Sequence, residues 1–229
     1  MDVSAMHMSD GLINAPTSAV FFVIAALGLA VALPRARREL DERTAPLAGL
    51  VAAFVFALQM INFPVLPGVS GHVLGGALAA ILVGPATAAL CLTVVLVVQA
   101  LLFADGGLTA LGTNVTNMAL LGVAAGYGTA IALRPLLRRS SGVAVLGVIS
   151  FVAAVVATVV AAAGFLVEYA VGGTAGSIGT IAPFLLGVHV LIGMGEGVIT
   201  AVTVMAVARA RPDLVYLLRP LRQGDRSPV

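Results

Sequence analysis

The chain has 229 residues, 60% hydrophobic and only 10% charged, with a formal net charge of +2. Soluble domains are about 25% charged, so composition excludes a water-soluble globule, and a mean hydropathy of +1.12 agrees. Nucleic-acid binding is excluded as well: the pI of 9.2 rests on that small excess of arginine, placed in short turns between apolar runs.

In chain order the apolar runs are Thr17–Leu33, Ala45–Ile61, His72–Val83, Pro85–Ala104, Leu108–Leu133, Val143–Val171 and Thr180–Ala208. A transmembrane helix takes ~20 apolar residues, so the chain can supply seven. The third run is short and is cut from the fourth by Gly84-Pro85; alone it reads equally as a re-entrant segment. Charge placement decides. All 12 basic residues are arginines in three groups: Arg35, Arg37, Arg38 and Arg43; Arg134, Arg138 and Arg139; and Arg209, Arg211, Arg219, Arg222 and Arg226. The positive-inside rule puts all three groups in the cytoplasm. An even number of crossings must then separate the first two, so runs two to five all span. The expectation is an all-α integral membrane protein of one domain, multi-pass in the cell membrane. It has an external segment (residues 1–16), seven transmembrane helices within 17–208 and a cytoplasmic tail (209–229). The N-terminus lies outside and the C-terminus inside.

The same parity puts Met1–Pro16, Asn62–Gly71, Asp105–Gly107 and Gly172–Gly179 outside, all without a basic residue. The first stretch begins acidic and lacks a basic n-region, so it does not read as a signal peptide. Cys91 stands alone within an apolar run and cannot form an internal disulfide. Glycine and alanine are spread through the spans, as close helix approach in a membrane requires. On the second run, Ala48-x-x-x-Ala52 and Ala53-x-x-x-Ala57 form small-residue faces suited to a helical partner.

No P-loop, Gly-rich nucleotide motif or His-Glu-x-x-His helix occurs, and no nucleophile–base pair suggests an enzyme. The chain has three histidines, and two of them, His7 and His72, fall on the outer face by this topology. A hydrogen-bonded packing role is the plainer reading of either alone; together, in a chain so poor in polar groups, they suggest metal binding. Met6-His7 sharpens this if translation starts at Met6. The free amine, the His7 backbone nitrogen and its imidazole then form a three-nitrogen chelate, with His72 as fourth donor. Four nitrogens in a plane favour Ni(II) or Cu(II) over zinc, magnesium or calcium. If Met1 is the start, His7 is a tail histidine, and Asp10 is the next donor to consider. The loop 62–71, punctuated by proline and glycine, reads as a binding loop or a plain connector. Gln99, Asn114, Asn117, His189 and Glu196 are the polar groups expected within the membrane. His189 and Glu196, seven apart, share a helix face and form a candidate proton relay for a self-sufficient secondary carrier or channel of a metal cation, the alternative function.

Four stretches complete the reading: Met6–Gly11, Ser70–Gly76, Gln99–Thr109 and His189–Glu196. Together they resemble the substrate-binding (S) subunit of nickel/cobalt energy-coupling-factor transporters, over nearly all of the chain from Met6 to about Arg211. The resemblance implies seven spans and a Ni or Co ion held by nitrogens of Met6, His7 and His72. It implies partners too: a transmembrane coupling (T) subunit, two cytoplasmic ATPases and an optional small accessory membrane subunit. ATP hydrolysis then lies outside this chain, the metal is cargo and no cofactor is expected. Family members usually begin at the Met of Met-His, so residues 1–5 depart from the pattern. The Ser-Gly-His-x-Leu-Gly-Gly form of the loop leans towards nickel, and the alanine faces of the second run are the expected docking surface.

Overall fold

The structure is a computed structural model that describes residues 7–42, 44–66, 69–139, 142–174 and 176–219. It is mostly helical, with seven helical segments: α1 (Ala15–Glu39), α2 (Thr44–Gln59), α3 (Gly76–Val83), α4 (Pro85–Leu102), α5 (Leu111–Arg139), α6 (Val143–Gly172) and α7 (Ile178–Ala210). Among the described residues five of these, α1, α4, α5, α6 and α7, are long and apolar enough to cross a bilayer; α2 has 16 residues and α3 only eight. The segments follow the expected order and the boundaries shift. α1 runs on through Pro34, because Ala36 and Glu39 bury beyond it. The loop before α3 contains a hairpin that the apolar pattern does not show, β1 (Phe63–Leu66) paired antiparallel with β2 (Val69–Gly71).

Large apolar side chains on the outer faces, such as Val20, Val23, Leu27 and Val31 on α1, stay exposed as lipid-facing residues do. The core is built around α3, every residue of which is buried. Small residues bring its neighbour close: a Cβ on Gly76 would stand 3.3 Å from the Gly122 backbone, and one on Gly126 would stand 2.8 Å from Ala77 Cβ. Eight helical residues rise only ~12 Å, so α3 alone falls far short of a ~30 Å hydrocarbon layer. The non-helical residues 72–75 before it, turned at Gly75, lengthen the segment.

That stretch of irregular backbone is satisfied by buried side chains. Glu196 of α7 accepts from Leu74 N at 2.8 Å, from Gly75 N at 2.9 Å and from the Thr158 hydroxyl at 3.0 Å. Gln59 Nε2 donates to Leu74 O at 2.7 Å. Gly75 turns with φ +81°, and a Cβ there would stand 2.7 Å from Val55. The break at Gly84-Pro85 is handled likewise: Glu39 accepts from Ala86 N at 3.1 Å, and from Thr87 N at 2.7 Å and its hydroxyl at 2.9 Å, capping α4.

The connections gather at two ends. Asn14 N donates to Gly172 O at 2.7 Å, Thr174 N to Leu12 O at 3.1 Å and Gly107 N to Met8 O at 2.9 Å, uniting the arginine-free segments. At the opposite end Arg219 donates to Glu39 O at 3.0 Å and lies over the Tyr216 ring, which itself approaches Tyr127.

The alanine faces of α2 divide. Ala48 is buried against the chain's own core, its carbonyl accepting from Cys91 Sγ at 3.6 Å, whereas Ala45, Gly49, Ala53 and Ala57 form the exposed stripe. The Ala48–Ala52 face is therefore an internal packing face, corrected from a docking one.

Glu196→Ala leaves two buried N–H groups without an acceptor, at ~1–3 kcal/mol each. Thermal unfolding in detergent should show a clear fall in Tm, smaller for Glu196→Gln, which keeps one acceptor oxygen. An alanine variant as stable as the parent would remove Glu196 as the prop of α3.

Candidate functional site

The N-terminal segment is laid over the bundle by short, directional bonds. Asn114, buried at the start of α5, accepts from Met8 N at 3.0 Å and donates to Met8 O at 3.1 Å, pairing with that residue as a neighbouring strand would. Asp10 Oδ1 accepts from Thr109 N at 2.7 Å and from its hydroxyl at 2.5 Å. The hydroxyl bond, foremost, holds the Asp10 carboxyl below the ordinary aspartate range. The Asp105-Gly106-Gly107 turn passes underneath, and it must be glycine at its centre. Gly106 has φ +93°, and a Cβ there would stand 2.9 Å from His7 Cβ.

These bonds bring His7 and His72 together, their ring centroids 4.8 Å apart at an interplanar angle of 59°. Both are 6% exposed. His72 Nδ1 lies 3.0 Å from Val73 O. A carbonyl oxygen only accepts, so Nδ1 carries a proton and donates it there. His7 differs: Nδ1 stands 3.2 Å from Asp105 Oδ1 without hydrogen-bond alignment, and neither ring nitrogen has a hydrogen-bond partner among the described residues. A buried polar atom left so costs ~1–3 kcal/mol.

Both histidines line a cavity of about 250 Å³ whose other walls include Asn114, Asn117, Met118, Phe165 and His189. Asn117 reaches it from the π-helical stretch Val115–Gly122 of α5, an irregularity that often accompanies function. Thus His7, His72, Asn114, Asn117 and His189 converge. Met6 lies outside the described residues. Asp10 and Gln99 do not line the cavity; Gln99 is fully buried and its Nε2 approaches Met60 Sδ at 3.7 Å.

His189 and Glu196 share α7 but not a task. Both oxygens of Glu196 are occupied by the Leu74–Gly75 backbone, and His189 Nδ1 bonds Leu185 O at 2.8 Å while its ring faces the cavity. Among the described residues no three His, Cys, Asp or Glu side chains gather as a metal cluster.

Two residues were not singled out by sequence. Asp105 was visible only as part of a glycine turn following an apolar run. Glu168 lies inside the run Val143–Val171, where it is 1% exposed and accepts from Asn117 Nδ2 at 2.7 Å. An acid in an apolar run was the signal available.

The depressed Asp10 pKa fixes a pH window. A carboxyl with a lowered folded pKa stabilises above its unfolded value and loses that contribution only as pH falls through the folded one. Acidification from pH ~7 to ~5 stays above the unfolded aspartate value of ~3.9. Hydrogen exchange at the Thr109 amide, corrected for intrinsic rate, should therefore keep its protection over that range. Loss of protection by pH ~5 would show that another group controls the tie.

The chain matches the cobalt uptake substrate-specific transmembrane region family over residues 7–214. It is 38% identical over 92% of its length to a protein of Haloquadratum walsbyi named for metal transport, covering 94% of that relative. A protein of Archaeoglobus fulgidus named for fused nickel transport is 37% identical over 92% of this chain and 68% of its own. A solved structure described as a transition metal transporter superposes with a TM-score of 0.76 at 28% identity, covering 97% of this chain and all of that one. With its apolar span-length helices and these relatives, the chain belongs to the cobalt uptake substrate-specific transmembrane region family and is a multi-pass membrane protein of metal transport.

Proposed function

We propose that this chain is the substrate-binding subunit of an energy-coupling-factor importer, capturing Ni2+ or Co2+ outside the cell at His7 and His72. The observation that carries this reading is His7: an imidazole buried beside a second histidine, with both nitrogens lacking a hydrogen bond among the described residues. A divalent transition ion would accept the lone pair that the protein leaves unused. Imidazole is a good ligand for nickel and cobalt alike. For a chain that starts at Met6, nickel is favoured, because the Met6 amine, the His7 backbone nitrogen and two imidazoles make a planar four-nitrogen set. The metal is cargo.

The energy would come from partner subunits, a transmembrane coupling subunit and two ATPases, with an accessory membrane subunit optional. The exposed stripe of α2, Ala45, Gly49, Ala53 and Ala57, is the face offered to the coupling subunit. In the proposed topology all seven segments cross. α3 does so with the non-helical residues 72–75, the arginine end faces the cytoplasm and the N-terminus lies outside. Reporter fusions at Arg38, Arg138 and Arg222 should read cytoplasmic and one at Gly173 external; a cytoplasmic signal at Gly173 would overturn this arrangement.

His7→Ala and His72→Ala should each abolish high-affinity Ni2+ retention by the purified protein, since either leaves the ion a donor short. In a version starting at Met6, an uncleavable tag placed directly before Met6 should do the same while leaving the protein folded and inserted. Retention by His72→Ala at the parent's level would move the site elsewhere. Retention by the tagged protein would remove the amine from the ligand set.

A further inference from the structure

His189 is left over once the site at His7 and His72 and the prop at Glu196 are accounted for. It sits on the α6–α7 wall of the same cavity, on the rigid helix α7. Its Nδ1 lies 2.8 Å from Leu185 O. That carbonyl can only accept, so Nδ1 carries a proton and is engaged there. A metal-binding histidine is usually prepared in this way, its other ring nitrogen donating to a backbone carbonyl that fixes tautomer and orientation. With Nδ1 so engaged, Nε2 is the ring nitrogen left to meet a cation in the cavity.

The wall around it is polar where helix packing alone would not require it. Asn117 is 5% exposed and lines the cavity; its Nδ2 is fixed by Glu168, and its Oδ1 has no hydrogen-bond partner among the described residues. Glu168 Oε1 lacks one too. Met118 adds a thioether to the lining. The cavity, about 250 Å³, exceeds what one bare ion fills; at ~30 Å³ per water it holds on the order of eight waters.

We propose that His189 Nε2 is a second ligand position for the divalent transition cation, on the wall formed by α6 and α7, so that the cavity holds the ion at two positions rather than one. This rests on reading the chain as a metal-binding subunit. The chemistry is that of a borderline divalent ion taking a neutral imidazole nitrogen, with water and the Asn117 amide completing its shell. The second position gives the ion a place to go when the N-terminal segment releases it, without returning it to bulk water.

Equilibrium dialysis of the full chain in detergent, with Ni2+ as probe, tests this. The double variant His7→Ala/His72→Ala should retain weak Ni2+ binding, and adding His189→Gln should abolish what remains. A second measurement needs no substitution: Ni2+ should suppress modification of His189 by diethylpyrocarbonate, read by peptide mass spectrometry. Equal binding by the double and triple variants overturns the second position, as does His189 labelling that Ni2+ leaves unchanged while His7 is protected. If the parent itself binds no Ni2+, the metal reading of the cavity fails and takes this position with it.

Discussion

The arrangement depends on making the broken backbone from His72 to Gly75 tolerable deep in the bundle. An unsatisfied peptide group in a bilayer costs several kcal/mol, so non-helical backbone survives there only where protein supplies its partners. Here Glu196 accepts from two successive N–H groups and Gln59 donates to a carbonyl. With these bonds the chain can stay non-helical up to α3 and present His72 at the cavity wall. A regular helix reaching back to residue 72 would commit the same backbone groups to its own ladder and swing the histidine round with the turn. The buried acid thus exchanges a costly side chain for the freedom to place His72.

The second element is the N-terminal segment, fastened by hydrogen bonds beside a small apolar cluster of Met8 and Ile13 with Ala110. Asn114 holds Met8 on both backbone groups, Asp10 holds Thr109, and Asn14 and Leu12 bond residues 172 and 174. Each bond is of ordinary strength, ~0.5–1.5 kcal/mol net, so the segment is held by several small contributions. Such an assembly opens piece by piece more readily than a buried helix does. Its placement over the cavity makes it the natural element to respond to cargo: an ion bonded to His7 would add one more tie to this set.

Much of this was legible in the chain, and the misses share a cause. The arginine groups and apolar runs gave the order of the segments because the bilayer imposes length and charge directly. His7, His72, Asn114, Asn117 and His189 stood out because a polar group among apolar ones must have a reason. What the pattern cannot report is which partner a buried polar group finds. Glu196 was therefore paired with His189 by helix periodicity, whereas the structure pairs it with backbone 120 positions away. The hairpin 63–71 was hidden because its strands are three and four residues long and include a proline. On α2 the alanine spacing was correctly noticed, but composition alone could not say that Ala48 faces inward and Ala53 outward.

The cavity joins these elements chemically. His72 and His189 are both held by a backbone carbonyl at Nδ1, which fixes the orientation of each ring. What the two rings share is that Nδ1 engagement alone; the carbonyls belong to the broken segment before α3 and to α7, the two elements that Glu196 bonds together. Anything that displaced Glu196 would release the Leu74–Gly75 backbone next to His72 and, on the other side, loosen the helix that carries His189. The carboxyl itself need not touch the ion to matter for it. By bonding α3's entry to α7 it ties the segment that carries His72 to the helix that carries His189.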